Sequence, residues 1–117
     1  MIYLIDDDKS LRRQYETFLK SAGYTYSSIN SSDDFLPLFK PVNGDLIVLD
    51  LSTPGIEGCD LLKKLKEAGI TIPVIVVTSL DELHRRDCCK QYGVKAFLRK
   101  PVDSEALMDI INFNLKH

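Results

Sequence analysis

The sequence predicts an α/β domain in which five parallel strands form one sheet with helices on both faces. Strand-like apolar runs and helix-like amphipathic segments alternate five times along the 117 residues. This alternation is typical of a parallel sheet whose strands are joined by helical crossovers. Residues 46–49 form a run with no polar side chain, which indicates a strand buried on both faces. Right-handed crossovers then make this a three-layer domain.

Length and composition indicate one globular domain over residues 1–117. Apolar residues make up 44% of the chain and charged residues 27%, which is ordinary for a soluble protein. The net charge of -2 gives no reason to expect direct binding to nucleic acid or to an anionic membrane. No apolar run approaches the roughly 20 residues that a bilayer span requires. There is no signal-peptide pattern, and the three cysteines include no CxxC pair, so we expect a cytoplasmic protein.

The predicted strands differ in how polar they are. The fourth contains Pro73 at its start, where proline disturbs a strand least. The second, YTYSSI, is β-rich but more polar, and this suits an edge strand. The five predicted strands cover residues 2–5, 24–29, 46–49, 72–77 and 96–98.

The predicted helices are marked by their ends. Gly23 and Gly69 close the first and third helices, because glycine readily adopts the left-handed conformation found there. The second helix, over residues 31–39, is weakened by Pro37. A capping box opens the fourth helix after the fourth strand, although this helix has no clean apolar stripe. Asp103 caps the fifth.

Reactive polar side chains occur where four of the strands end. Asp6 and Asp7 follow the first strand, and Asp50 ends the third. Thr78 ends the fourth strand and Lys100 follows the fifth. Sites in open parallel sheets form at the carboxyl ends of the strands. If the first and third strands are neighbours, the three acids share one pocket, which Thr78 and Lys100 approach from the other side.

This set of groups points to phosphoryl transfer. Crowded carboxylates repel one another, and Mg²⁺ offsets that repulsion with the oxygen ligands it prefers. The metal and a lysine neutralise phosphoryl oxygens, a hydroxyl orients one of them, and an aspartate accepts the group as an acyl phosphate. Each signal also has a plainer explanation, since Asp50 suits a turn and a Thr-Ser pair suits a helix cap. Their occurrence together at successive strand ends favours the site.

Three other functions compete with this interpretation. A haloacid-dehalogenase-type phosphatase also uses a strand-end aspartate with Mg²⁺, but it requires a second acid where this chain has Ser52. A flavodoxin-type binder requires a phosphate-binding loop after the first strand, where DDDKS would repel phosphate. A phosphohistidine carrier would depend on His84 or His117, each an isolated histidine. Neither P-loop nor dinucleotide-binding spacing occurs.

Four short segments match a known family: Asp6-Asp7, DLSTPGIEG around Asp50, Thr78-Ser79 and Lys100-Pro101. On these segments the sequence resembles the receiver (CheY-like) domain of two-component response regulators over essentially its whole length. Two departures are small: Thr53 stands where the family often has methionine, and Pro37 interrupts the second helix.

The resemblance implies a flavodoxin-like strand order of 2-1-3-4-5 and a phosphoacceptor role for Asp50. It also implies that Mg²⁺ is held, directly or through water, by side chains of Asp6, Asp7 and Asp50 and by the backbone carbonyl of Ser52. No enzymatic activity is implied beyond Mg²⁺-dependent self-phosphorylation and self-dephosphorylation.

Further roles follow from the same resemblance. Thr78 would bond a phosphoryl oxygen, Lys100 would pair with the group, and the Lys100–Pro101 peptide bond would be cis. Phe97 matches an aromatic residue that changes rotamer on activation. The implied phosphoryl donor is a sensor histidine kinase. The face built from the fourth helix, fifth strand and fifth helix would then regulate an output partner or domain, for which a transcriptional role is expected, or form a phosphorylation-dependent homodimer.

Overall fold

Five strands and three helices make up the described part of the chain. The structure is a computed structural model, and it describes residues 1–6, 9–29, 42, 44–51, 58–78 and 89–115. The elements in chain order are β1 (Ile2–Ile5), α1 (Lys9–Ser21), β2 (Tyr26–Ile29), β3 (Leu46–Asp50), α2 (Gly58–Glu67), β4 (Val74–Thr78), β5 (Ala96–Arg99) and α3 (Ser104–Leu115).

All five strands are parallel and form one sheet in the order β2-β1-β3-β4-β5. The predicted fold class and strand order are therefore confirmed. Ile5 pairs with Leu49 across β1 and β3, so these two strands end level with each other. The pairs Asp50–Val77 and Thr78–Arg99 continue the same edge across β4 and β5. The predicted polar strand ends thus share one edge of the sheet.

Helices cover both faces of the sheet, which makes the domain three-layered as predicted. Alternate residues of the central strands point to opposite faces, and each face has its own apolar core. Both β3 and β4 are buried along their whole length because each lies beneath helices on either side. The core under α2 includes Ile47, Leu49, Val76, Leu61, Leu62, Leu65 and Cys89, and the core under α1 and α3 includes Val48, Ile75, Tyr15, Leu19, Leu107 and Ile111.

The helix ends agree with the sequence signals. Gly23 and Gly69 have φ values of 85° and 75°, in the left-handed region where a side chain would be strained. The Asp103 carboxylate accepts a hydrogen bond of 3.0 Å from the Glu105 amide and so caps α3.

Two strands begin later than predicted. β2 begins two residues later than expected, because the Tyr24 amide donates to the Leu19 carbonyl at 3.0 Å and closes α1. β4 begins after Pro73, whose carbonyl accepts from the Ile47 amide at 3.0 Å. Proline has no amide hydrogen to donate to the ladder, so regular pairing starts with the following residue.

Two predicted helices lie wholly or largely outside the described residues. These are the second helix, over residues 31–39, and the fourth helix as far as residue 88. Cys89 and Lys90 are helical, and a turn follows that ends at Gly93. Across the described residues, every helix is too short or too polar to cross a membrane.

A second buried carboxylate lies at the amino end of β3, opposite to Asp50. Asp45, directly before the strand, is only 5% exposed. Its oxygens accept a 2.9 Å hydrogen bond from the Val42 amide and pair with the amino group of Met1 at 3.1 Å. Burial raises the pKa of the Tyr3 phenol, and the negative charge of Asp45 raises it further.

We expect Tyr3 to ionise above its ordinary pKa of 10.0. Asp45→Asn should lower this pKa without restoring the ordinary value, because burial is the larger cause. The unfolded chain ionises at the ordinary value, so the folded chain loses stability as the pH rises above about 10. Alkaline NMR titration of the tyrosine ring carbons measures the pKa, with Tyr3→Phe identifying the signal. An unchanged or higher pKa in Asp45→Asn contradicts the assignment.

Candidate functional site

Two buried carboxylates lie side by side at the carboxyl edge of the sheet. Asp50 is the last residue of β3, and Asp6 comes directly after β1. Because Ile5 and Leu49 are paired, Asp6 and Asp50 occupy the next positions on neighbouring strands. Each is 3% exposed, so water does little to screen the repulsion between their charges. Burying both carboxylates in ionised form therefore requires a cation at this edge.

Lys100 supplies a cation to Asp50. Its Nζ atom lies 2.6 Å from Oδ2 of Asp50, close enough for an ion pair and a charge-assisted hydrogen bond. The lysine side chain is 25% exposed and the aspartate side chain 3%. The pair thus connects a buried carboxylate to an ammonium group that reaches the surface.

Thr78 lies on the same edge and is tied to Lys100 through the backbone. It is the last residue of β4 and is 2% exposed. The Lys100 amide donates to the Thr78 carbonyl at 2.9 Å, just beyond the last regular residue of β5. The Lys100–Pro101 peptide bond is cis. The fold therefore brings Thr78, the Lys100 ammonium and the Asp50 carboxylate, which were expected at one site, to the same edge of the sheet.

Phe97 lies beside this edge, on the last strand of the sheet. It is half-buried and packs against the core under α2. Its neighbours across the β4–β5 ladder are Val76 and, one step further along, the Val77–Leu98 pair. Phe97 thus lies two residues before the carboxyl end of β5, and its change of rotamer on activation stays a prediction.

Arg12 is a charged residue of this region that the sequence analysis did not identify. It lies in the first half of α1, and its guanidinium donates to the Asp6 backbone carbonyl at 3.4 Å. A second cation thus approaches the acidic end of β1. The signal was available in the sequence, because α1 begins immediately after the three acids and its early residues must lie near them.

The predicted metal ligands are brought together as far as the structure describes them. Asp6 and Asp50 are neighbours, whereas Asp7 and Ser52 lie outside the described residues. Among the described residues no three histidine, cysteine or acidic side chains form a metal-binding group. The two carboxylates that are described offer only oxygen atoms, and an oxygen-only set fits Mg²⁺.

The arrangement suits attack by a carboxylate on an electrophilic phosphorus atom. In such a step Asp50 would provide the nucleophilic oxygen, and Lys100 and Thr78 would interact with the negative charge of the incoming group. The positions on which the competing functions depend, Ser52, His84 and His117, lie outside the described residues.

We expect Lys100→Met to lower the free energy of unfolding by about 1–3 kcal/mol at neutral pH, because it leaves the Asp50 carboxylate buried without its ammonium. Adding Asp50→Asn to this variant should recover part of the loss, since the uncompensated charge is then removed. Urea unfolding in the presence of a chelator measures both effects. Lys63→Met, at an exposed position on α2, is the matched control. Equal losses in the two lysine variants, or no recovery in the double variant, contradict the prediction.

The chain is similar to two kinds of bacterial transcriptional regulator. It is 32% identical over 114 residues to the transcriptional regulatory protein FixJ of Azorhizobium caulinodans, covering 97% of this chain and 54% of the relative. It is 27% identical over 117 residues to the DNA-binding transcriptional regulator NtrC of Salmonella typhimurium, covering 100% of this chain and 25% of the relative. The chain thus spans about half the length of FixJ and a quarter of NtrC.

Solved structures show the same fold. The receiver domain of a LuxO repressor protein from Vibrio parahaemolyticus superposes with a TM-score of 0.85 at 28% identity, covering 98% of this chain and 88% of that one. Full-length FixJ from B. japonicum superposes with a TM-score of 0.88 at 28% identity, covering 98% and 57%. The sequence profile of the response regulator receiver domain matches residues 2–112. With its sheet order, its paired aspartates and its strand-end lysine, the chain belongs to the response regulator receiver domain family.

Proposed function

We propose that this chain accepts a phosphoryl group on Asp50 and passes the resulting change in its surface to an output partner or domain. The observation that carries the proposal is the 2.6 Å pair between Lys100 Nζ and Oδ2 of the buried Asp50, at the carboxyl edge of the sheet. Asp6 and Thr78, each almost fully buried, lie on the neighbouring strands. Membership of the receiver family supports the assignment.

The proposed donor is a phosphohistidine of a sensor histidine kinase. A carboxylate oxygen of Asp50 attacks the phosphorus atom, and a phosphorus–oxygen bond forms as the phosphorus–nitrogen bond breaks. The departing nitrogen keeps the electron pair of the broken bond, and the imidazole leaves neutral when its other nitrogen is protonated. Hydrolysis by water at phosphorus later returns the Asp50 carboxylate and free phosphate.

The side chains around Asp50 have separate roles in this step. The Lys100 ammonium, which pairs with the carboxylate before transfer, contacts a phosphoryl oxygen after it. The Thr78 hydroxyl donates to another phosphoryl oxygen. Thr78 is buried and Lys100 is partly buried, so less water competes for these interactions than at an open surface.

Mg²⁺ is the proposed metal, and receiver domains generally use it for phosphorylation. Asp6 and Asp50 would hold it from described positions, with Asp7 and the Ser52 carbonyl as the further ligands. When bound, it supplies positive charge that offsets both the carboxylates and the phosphoryl oxygens.

The proposed output is control of transcription in the cytoplasm. FixJ and NtrC are transcriptional regulators by name, and each is longer than this chain. We therefore assign DNA binding to an output partner or domain and not to the receiver domain itself, whose net charge is -2. The switching face comprises the region of the fourth predicted helix, β5 and α3, and it serves the output partner or a phosphorylation-dependent homodimer.

The acceptor assignment predicts that the protein gains one phosphoryl group from acetyl phosphate only when Mg²⁺ is present. Asp50→Asn should remove the gain, and Asp6→Asn should slow it by about tenfold or more, because a metal ligand is lost. Intact-mass spectrometry over time measures uptake. Asp109→Asn, which changes an exposed acid on α3, is the control and should react at the wild-type rate.

Two results contradict the acceptor assignment. One is uptake by Asp50→Asn at the wild-type rate, which would place the phosphoryl group on another residue. The other is full uptake in excess chelator, which would show that the carboxylates need no divalent cation. Loss of reactivity in Asp109→Asn as well would indicate general damage to the fold and would remove support from all the variants.

The switch assignment predicts where phosphorylation changes backbone protection. Amide hydrogen exchange should change most between Thr78 and Lys100, because the Thr78 hydroxyl moves to the phosphoryl oxygen. Thr78→Ala should still accept the phosphoryl group but should show a much smaller change in this region. If β2 responds instead while residues 89–100 keep their protection, the switching face is assigned wrongly.

A further inference from the structure

A separate cavity lies at the opposite edge of the sheet from Asp50. It has a volume of about 370 Å³ and is enclosed by the C-terminal end of α2, the segment that leads into β4, and the turn that leads into β5. Segments that precede parallel strands lie at the amino edge, so this cavity shares no described residue with the carboxyl-edge site. Its volume is within the range of small-molecule sites.

The floor of the cavity is apolar and belongs to the folded core. Leu62 and Leu65 of α2 are each 3% exposed, and Val74 at the start of β4 is 9% exposed. All three belong to the core under α2. These side chains are held in place by packing, so they form a preformed surface for an apolar group of a ligand.

The rim of the cavity is cationic and aromatic. Lys66 and Lys95 line it, and both residues are exposed. The Nζ atom of Lys66 lies 5.9 Å from the centre of the Tyr92 ring, which places its charge above a half-buried aromatic face. The Tyr92 ring itself packs against the core. Tyr92 and the two lysines therefore line the same opening.

No acid offsets this charge in the described part of the cavity. The described lining residues include no aspartate or glutamate. Neither lysine forms an ion pair with a described residue. Two ammonium groups beside an apolar floor attract an anion, and the local charge favours a carboxylate over a neutral ligand of the same shape.

We propose that this cavity binds a small amphipathic carboxylate. The apolar or aromatic part of the ligand lies on Leu62, Leu65 and Val74, and its carboxylate lies between the ammonium groups of Lys66 and Lys95. A fully polar anion such as inorganic phosphate would leave the floor without a partner, and a neutral hydrocarbon would leave the lysines without one. The proposal is independent of phosphorylation at Asp50.

The test uses 3-phenylpropionate as the probe and the whole chain without phosphodonor or metal. NMR titration of the ¹⁵N-labelled protein should give saturable shifts at the amides of residues 65–71 and 91–95. The neutral analogue 3-phenylpropanamide has the same apolar body and should bind about tenfold or more weakly, because it lacks the charge-assisted hydrogen bonds.

Single substitutions test the two lysines. Lys66→Gln and Lys95→Gln should each weaken binding of the probe by about tenfold. Lys64→Gln is the matched control, because this exposed lysine is on α2 but does not line the cavity. Unchanged peak dispersion in each variant shows that the fold is retained. Asp50→Asn should bind the probe as the wild type does, which separates this proposal from the acceptor assignment.

Several outcomes overturn the proposal. Absence of saturable shifts with the probe does so, and so does equal binding of the acid and its amide. An equal loss in Lys64→Gln would show that binding follows overall charge and not this cavity. Shifts that appear only with an acidic, phenylalanine-containing hexapeptide would show that the cavity takes a protein segment, and the small-molecule assignment would be wrong.

Discussion

The ion pair between Lys100 and Asp50 is the interaction on which the organisation of the carboxyl edge depends. Two buried carboxylates on neighbouring strands repel each other, and the low local polarity strengthens that repulsion. Lys100 reaches Asp50 across the end of β4, which lies between β3 and β5, and the chain after β5 is bonded to the end of β4. The charge balance at this edge therefore depends on a strand order that keeps the end of β5 within reach of β3.

Much of the fold could be predicted because the central strands carry no polar side chain and end abruptly on reactive ones. The order of the strands could not be predicted in this way, because periodicity does not reveal which strands are neighbours. The predicted order came from the resemblance to a known family. The start of β2 could not be predicted, because the Tyr24 amide donates to the end of α1 instead of to a neighbouring strand. Local β-propensity does not reveal this choice of partner. The contact between Lys66 and Tyr92 also could not be predicted, because the two residues are distant in the sequence and come together only in the folded chain.

Two buried aspartates at opposite ends of β3 show how the partner of a carboxylate determines what it can do. Asp45 accepts a hydrogen bond from a backbone amide and pairs with the amino group of Met1. The backbone partner cannot move without opening the segment before β3, so this carboxylate acts as a structural anchor. Asp50 pairs instead with the end of a long lysine side chain that is partly exposed. Such a side chain can follow a new group to a new position while the backbone stays in place, which suits an acceptor site.

The hydrogen bond from the Lys100 amide to the Thr78 carbonyl limits how this edge of the sheet can move. It pins the backbone of Thr78 from the side of β5, while the β3–β4 ladder holds the preceding residue from the other side. Thr78 can then respond to a neighbour mainly by rotation about χ1, which for a β-branched side chain has few allowed positions. Motion at this point is consequently closer to a choice between discrete rotamers than to a gradual displacement. Under the proposed function, such a restriction favours a response with discrete states, in which intermediate levels arise from the fraction of molecules in each state.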